Sequence, residues 1–529
     1  MPDFTASPLV DALEENLFSL LEKLAAEVNT EALPLIDLSS GSPDQPTPPE
    51  VIDSLQSAIH RRENHGYPSF WGKPQVREAI ARFYRRQYDV ELDPHSEVAV
   101  FQGSHIGIGG IPRALLSPGQ YLISTDPCYP IYRSAALQSQ AAFYGLPLRA
   151  ENHFLPDFND LPWEVADKAG LVVLNYPHNP TGALATPALF ASALQFARRH
   201  QVPILHDFAY AAIGSAASDA PLSLFSQPDA KAWGVETYTF SKTFNMAGWR
   251  FGFAVGNASI IRAFKKLHTH SYSTVFGAIQ DAAIAALNLP AERIAQLTAV
   301  YHQRREWVLR RLAALRWPAR DAQGTFFLWL GVPPGYRSQE FARLLLQEAH
   351  ILVAPGTGFG AGGEGFIRIS LDRRGRGAEQ RAGPSCPAGA VLVRRREKQT
   401  ATLAVGDYPA DESITDSTIL PSRCPCAARS CAICACARGK TLSIATRMAP
   451  ASSRSASRAS CAPLERTWVV ETVTPRCRAS SVPAKPSGKI GYSAPPGRRV
   501  RKKRPLAGPP GASMTRSRSR TVSSTAVVV

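Results

Sequence analysis

The 529-residue chain is short of cysteine and of long apolar runs. Only Cys128 of its nine cysteines precedes Asp372. The first two-thirds therefore hold no pair for a disulfide, and a reducing, cytoplasmic setting is expected. No apolar stretch approaches the roughly 18 residues that a membrane-spanning helix needs. The opening Met1-Pro-Asp-Phe-Thr has no basic region leading into an apolar core, so no secretory signal is expected. No internal repeat is visible.

Acidic residues are scarce in one part only. From Asp372 to Val529 there is no His and no Phe, and this segment carries 29 of the 59 Lys and Arg but 9 of the 43 Asp and Glu. The net charge of +16 thus belongs to the tail, and the part before it is slightly acidic. The overall basicity does not mark that first part as a nucleic-acid binder. The tail is rich in Arg, Ser, Pro and Ala, shows neither helical nor strand period, and is expected to be disordered. Its abrupt onset reads as a shifted or fused reading frame, or as a genuine basic extension. Cys424, Cys426, Cys431, Cys434 and Cys436 invite a zinc reading, but the spacing fits no standard pair of knuckles and no His is near. The run Arg498–Arg504 is the feature that would contact nucleic acid, without aromatics to stack bases.

What is present lies earlier. Ser241-Lys242-Thr243 with Arg250 eight positions on from Lys242 supplies what a pyridoxal phosphate Schiff base needs. The amine condenses with the cofactor aldehyde, while hydroxyl and guanidinium hold its phosphate. Upstream, the apolar run Ala169–Leu174 leads into Asn175-Tyr-Pro-His-Asn179-Pro-Thr-Gly182. Its prolines and glycine forbid helix and build a rigid turn at a strand end, where open α/β sheets bind ligands. Asn179 there is either a ligand for a cofactor oxygen or an Asx cap of a Pro-rich turn. A second strand, Val202–Leu205, leads into His206-Asp207-Phe-Ala-Tyr210. Asp207 could keep a pyridine nitrogen protonated, making the ring an electron sink; alone, it reads equally as a helix N-cap. Three strand-end motifs in this order converge on one cofactor.

These runs, with "GSPDQPTPPEVI" and "ENHGYPSFWGKPQVREAIARFY", resemble the class I/II, fold type I pyridoxal-phosphate-dependent aminotransferases from about Leu35 to Leu371. The subgroup they resemble holds the LL-diaminopimelate and methionine-salvage enzymes. The resemblance implies a role for each matching position. Lys242 is the Schiff-base lysine and proton shuttle, and Asp207 the pyridinium partner. Tyr210 and Asn179 bond the ring hydroxyl, and Tyr129 stacks on the ring. Ser104, His105, Ser241 and Arg250 surround the phosphate, with Tyr67 reaching that of a partner subunit. Gly41, Asn179 and Arg368 bind substrate, the arginine clamping the α-carboxylate. Where the subgroup usually has Lys-Glu, this chain has His105-Ile106, and where it has Gly, Cys128. Phe18 and Tyr272 are further candidates for the side-chain pocket.

The expected architecture is α/β. An N-terminal arm (1–40) precedes a large domain with a mostly parallel, helix-covered sheet (41–290). A small α+β domain (291–371), incomplete if the tail replaces its last helix, and the basic tail (372–529) follow. Expected elements include an amphipathic stretch over Leu9–Val28, a helix over Leu189–His200, a long helix over Ala291–Leu315, and strands at Val98–Phe101, Gln120–Ser124, Pro203–His206 and Ile367–Leu371. The expected activity is ping-pong transamination between an amino acid and a 2-oxo acid by a homodimer, with no metal and no membrane partner. A carbon–sulfur lyase on the same fold is the rival within the enzyme class. A non-catalytic protein with a nucleic-acid-binding tail, or an enzyme whose Arg368 sits on an unsupported strand, are the others.

Overall fold

The computed structural model describes residues 4–31, 33–216, 220–314, 317, 319, 322–372, 389–396 and 400–407. The short strand β1 (Ile36–Asp37) lies outside the main sheet. The next seven strands build that sheet: β2 (Val98–Phe101), β3 (Tyr121–Asp126), β4 (Ala142–Pro147), β5 (Ala169–Leu174), β6 (Ile204–Asp207), β7 (Gly234–Thr239) and β8 (Gly252–Gly256). Their order is β2-β8-β7-β6-β5-β3-β4. Every neighbouring pair is parallel except those of β8, which runs antiparallel to both β7 and β2.

The apolar runs read from sequence are continuous because both faces of the sheet are covered. Alternate residues of one strand enter opposite cores. Leu171 and Val173 pack with Ile108 and Ile111 of the helix Ser104–Leu115 and with Phe264 of the helix Ala258–Ser271. Val172 and Leu174 pack instead with Phe190, Ala193 and Leu194 of the helix Pro187–His200. The parallel direction brings the ends of β3, β5, β6 and β7 to one edge. β2, sharing its antiparallel partner with β7, ends there too.

Residues after the 24-residue helix Ala291–Ala314 form β9 (Phe327–Gly331), β10 (Ile351–Leu352), β11 (Ala354–Pro355) and β12 (Phe366–Ser370). β12 is the middle strand of a three-stranded antiparallel sheet, β11-β12-β9, and Arg368 sits opposite Ala354 and Trp329. The strand that carries Arg368 is therefore paired on both edges. β10 pairs parallel with β1, so the N-terminal segment is stitched to the C-terminal part.

One expectation from sequence needs correction. The amphipathic stretch Leu9–Val28 is two helices, Pro8–Asp11 and Leu17–Val28. Asn16 starts the second, its Oδ1 accepting from the backbone of Phe18 at 3.0 Å and of Ser19 at 3.3 Å. The strand expected ahead of Ser241-Lys242 is β7, and all of it is buried although Glu236 and its threonines interrupt the apolar pattern. In the tail, β13 (Gly389–Arg396) and β14 (Thr400–Asp407) pair as an antiparallel hairpin. The cysteine cluster and the run Arg498–Arg504 lie outside the described residues. Among the described residues, no helix is long and apolar enough to cross a membrane.

Candidate active site

A cavity of about 480 Å³ opens at the edge where the parallel strands end. It is lined by Gly41, Ser104, His105, Tyr129, Asn179, Asp207, Tyr210, Ser241, Lys242, Arg250 and Arg368. The residues picked from sequence thus converge, except for Tyr67, which is 97% exposed and does not line the cavity. Of the two further pocket candidates, Phe18 lines the cavity and Tyr272 does not.

Lys242 lies in the short helix Phe240–Thr243 that begins where β7 ends. The Thr239 hydroxyl caps that helix by accepting from the Ser241 backbone at 3.2 Å. The Lys242 amine donates to the carbonyl of Gly41 and stands 5.5 Å above the Phe326 ring. An N-terminal turn thereby fixes the direction of the lysine.

Asp207 closes β6 and is 4% exposed. Burial pushes its carboxyl above the ordinary aspartate range, while the Tyr132 hydroxyl, donating at 2.7 Å, and the Thr237 hydroxyl at 3.3 Å pull the other way. Asn175 ties two motifs together. Its Nδ2 donates to the Asp207 carbonyl at 2.7 Å and its Oδ1 accepts the Asn179 backbone N–H at 2.9 Å. Tyr129 meets Tyr132 edge-on at 5.9 Å, and burial, then the charge of Asp207, raise its phenol pKa. Tyr210 is held edge-on to Phe326 and Phe327, and burial raises its phenol strongly.

Beside them is a cationic corner. Gly103, at φ +88°, precedes the helix Ser104–Leu115, and a Cβ there would stand 2.6 Å from Nη2 of Arg250. Only glycine lets the guanidinium lie against this backbone. Arg250 is oriented by a bond from its Nη1 to the Ala247 carbonyl at 2.9 Å. Loss of solvent and the Arg250 charge lower the pKa of His105.

Arg368 forms the opposite wall, with 1% exposure. Nη1 donates to Asn179 Oδ1 at 2.9 Å and Nη2 to the Ser39 carbonyl at 2.6 Å. The guanidinium lies 3.9 Å from the Phe327 centroid and 4.8 Å from that of Phe359. Burial pulls its pKa down to about 10, and Nε has no hydrogen-bond partner. A buried cation with a spare donor is complementary to an anion. Its strand is anchored by Arg304, which donates to the Leu371 carbonyl at 2.8 Å and grips Asp44 with both terminal nitrogens.

Tyr132, Asn175, Ser39 and Asp372 were not picked out from sequence. Ser39 acts through its carbonyl, which leaves no side-chain signature.

Pyridoxal phosphate fits this arrangement. It needs an amine for its aldehyde, a carboxylate for its ring nitrogen, an aromatic face and a cationic cradle without a Cβ. Lys242, Asp207, Tyr129 and the Gly103–Arg250 corner provide these around one cavity. A protonated ring nitrogen facing Asp207 would also relieve the penalty that burial imposes on that carboxylate.

Known proteins share the whole described core. The family model for aminotransferase class I and II matches residues 34–374. The chain is 40% identical over 368 residues to the L-glutamine--4-(methylsulfanyl)-2-oxobutanoate aminotransferase of Bacillus subtilis, covering 70% of this chain and 92% of that one. It is also 40% identical over 368 residues to the LL-diaminopimelate aminotransferase of Aquifex aeolicus, covering 70% and 95%. The substrate-bound structure of BacF from Bacillus subtilis superposes with a TM-score of 0.67 at 39% identity, over 70% of this chain and 94% of that one. With the lysine, carboxylate, cradle and clamp gathered at one sheet edge, the chain belongs to the class I and II aminotransferases, enzymes that move amino groups with pyridoxal phosphate.

Proposed function

We propose that the preferred acceptor is a 2-oxo monocarboxylic acid with an apolar side chain, of the 4-(methylsulfanyl)-2-oxobutanoate kind, with an amino acid such as glutamine as donor. The basic side chains lining the cavity carry this reading: His105, Lys242, Arg250 and Arg368. Three serve cofactor and proton transfer, and Arg368 serves one carboxylate. None is left for the second carboxylate of a diaminopimelate. Phe18, Ile108 and Phe327, which also line the cavity, offer an apolar surface instead.

Each side chain has a defined task. When bound, pyridoxal phosphate supplies an aldehyde for the substrate amino group and a ring that withdraws electrons. Arg368 reads the α-carboxylate with its planar fork and so orients the Cα–H bond. Lys242 Nζ would take that proton as general base and deliver it as general acid to the carbon that had been the cofactor aldehyde. Asp207 holds a negative charge against the ring nitrogen, and the Tyr210 hydroxyl donates to the ring oxygen. Ser104, Ser241 and Arg250 hold the phosphate.

A large domain (41–290) carries these groups, and a smaller one (291–371) brings Arg368. The unit is a cytosolic homodimer in which the exposed Tyr67 reaches the site of a second copy. The test is a panel of acceptors with glutamine and glutamate as donors, following product amino acid. Higher kcat/KM with 4-(methylsulfanyl)-2-oxobutanoate than with dicarboxylic acceptors is expected. A preference for LL-diaminopimelate as donor would overturn the substrate reading and leave the family standing.

A further inference from the structure

The cavity does not end at Arg368. It continues along the helix Leu17–Val28, where Phe18, Glu22, Ala25 and Ala26 line it together with the capping Asn29. Residues three and four apart share a helix face, so these five form one stripe.

The stripe has an inner and an outer end. Phe18 is half-buried at the clamp, with Arg368 Cζ 5.2 Å from its ring centroid and the Tyr129 and Phe359 rings at 6.2 and 6.3 Å. Glu22, Ala26 and Asn29 are exposed. Glu22 follows Phe18 by one helical turn, about 6 Å along the axis. A substrate whose α-carboxylate lies on Arg368 therefore runs its side chain past Phe18 toward Glu22. Ala25 and Ala26 are small and leave that path open.

The acids lining the cavity are Glu22, Asp37 and Asp207. Asp207 faces the ring nitrogen in the scheme above. Asp37 Oδ1 is engaged by the Ser39 backbone N–H at 2.8 Å and by the Ser39 hydroxyl at 2.7 Å. Asn29, at the end of the stripe, is tied back to its own loop, its Oδ1 accepting the Leu35 N–H at 2.9 Å. Glu22 is thus the acid placed to meet the far end of a bound side chain.

We propose that Glu22 is a specificity-determining residue at the mouth of the cavity, accepting a hydrogen bond from amino donors whose side chains end in N–H, a carboxamide or an ammonium, and repelling donors that end in a carboxylate. The inference rests on the reading that Arg368 holds the α-carboxylate. A carboxylate accepts hydrogen bonds and donates none. A second carboxylate beside it meets like charge, and such repulsion selects among substrates as effectively as attraction. An apolar side chain stops against Phe18 and Ala25 and leaves Glu22 its water, so the proposed apolar acceptor keeps its place.

The test follows the donor half-reaction by stopped-flow absorbance on the full-length holoenzyme with glutamine, ornithine, glutamate and methionine. Each second-order rate constant is divided by that for methionine. In E22Q the glutamate ratio should rise about fivefold at low salt, the worth of one exposed charge pair, and in E22K it should rise further. Salt added to about 1 M should raise the same ratio in wild type and by less in E22Q, because it screens the repulsion. In E22A the glutamine or the ornithine ratio should fall by a similar factor. A fall for glutamine assigns the carboxamide, and a fall for ornithine the ammonium. No rise for glutamate, no fall for either N–H donor, or equal changes for all four donors would overturn the proposal; equal changes would make Glu22 a support of its helix. R368K tests the underlying reading separately and should slow all four donors. If it slows none, the α-carboxylate lies elsewhere and both readings fall. If it slows all four while the Glu22 variants leave the ratios alone, the role of Glu22 falls by itself.

Discussion

The Asp372 carboxylate accepts the backbone N–H of Ser42 at 2.5 Å, joining positions 330 residues apart. Ser42 follows Gly41, whose carbonyl receives the Lys242 amine. The residue at which the composition changes is thus part of the scaffold that aims the lysine. Its anionic form is costly there: burial raises its pKa to about 6, against the pull of nearby donors and of Lys242 and Arg368.

The sign of the pH effect follows. The folded pKa lies above the unfolded one, so Asp372 favours folding most at low pH, where it is neutral. That contribution is lost as pH rises through about 6. D372N keeps the acceptor for Ser42 and removes the charge. It should stabilise the protein by up to about 3 kcal/mol near pH 8 and by almost nothing near pH 4. Urea melts at the two pH values test this, and destabilisation at both would refute it.

Replacing Lys242 by alanine removes the one amine placed between Gly41 and the Phe326 ring. The amino-donor half-reaction should slow by at least about 10²–10⁴-fold, the usual worth of a positioned general base. Stopped-flow absorbance with excess donor measures it. A rate within tenfold of wild type would show that another group moves the proton.

Arg368 should not tolerate lysine. The guanidinium spans Asn179 and the Ser39 carbonyl at once, in contact with Phe327. A lysine amine has no planar fork and is more strongly hydrated. R368K should raise KM for amino and oxo acids roughly 10–100-fold, the range for a lost charge-assisted bond, with circular dichroism unchanged. Unaltered KM values would place the carboxylate elsewhere.

Legibility in the sequence followed the range of each interaction. Asn179 and Asp207 were visible because each follows an apolar strand, Lys242 because Ser241 and Arg250 flank it, and strand ends gather at one edge. Arg368 was visible only through resemblance, since Asn179, Ser39 and Phe327 are brought to it by tertiary packing. Tyr132 and Asn175 act on residues 75 and 4 positions away respectively, and nothing in their local pattern separates them from ordinary helix and turn residues. The extent of β7 was not legible, because Glu236 and Thr237 are polar groups buried against β6.

Tyr132 offers a finer test. Its hydroxyl donates to Asp207 at 2.7 Å and favours the ionised carboxylate. Y132F removes that one donor and leaves the ring. Affinity for pyridoxal phosphate should fall by roughly 10-fold, in line with a buried bond to a charged group, while an added D207N change should erase the difference. Fluorescence titration of apo-protein reads both.

Gly103 makes the sharpest steric prediction. A methyl group there would be 2.6 Å from Nη2 and 3.0 Å from Cζ of Arg250, and φ of +88° is costly for any residue with a Cβ. The guanidinium is the movable partner, so G103A should displace Arg250 rather than unfold the sheet. Cofactor affinity should then drop by roughly 10–100-fold, as for one lost charge-assisted contact to phosphate. Free pyridoxal, which lacks the phosphate, should bind as weakly to G103A as to wild type. Combining G103A with R250A should cost no more than R250A alone, because both changes remove the same contact. Additive losses would mean that Gly103 serves the phosphate through its own backbone, independently of the arginine.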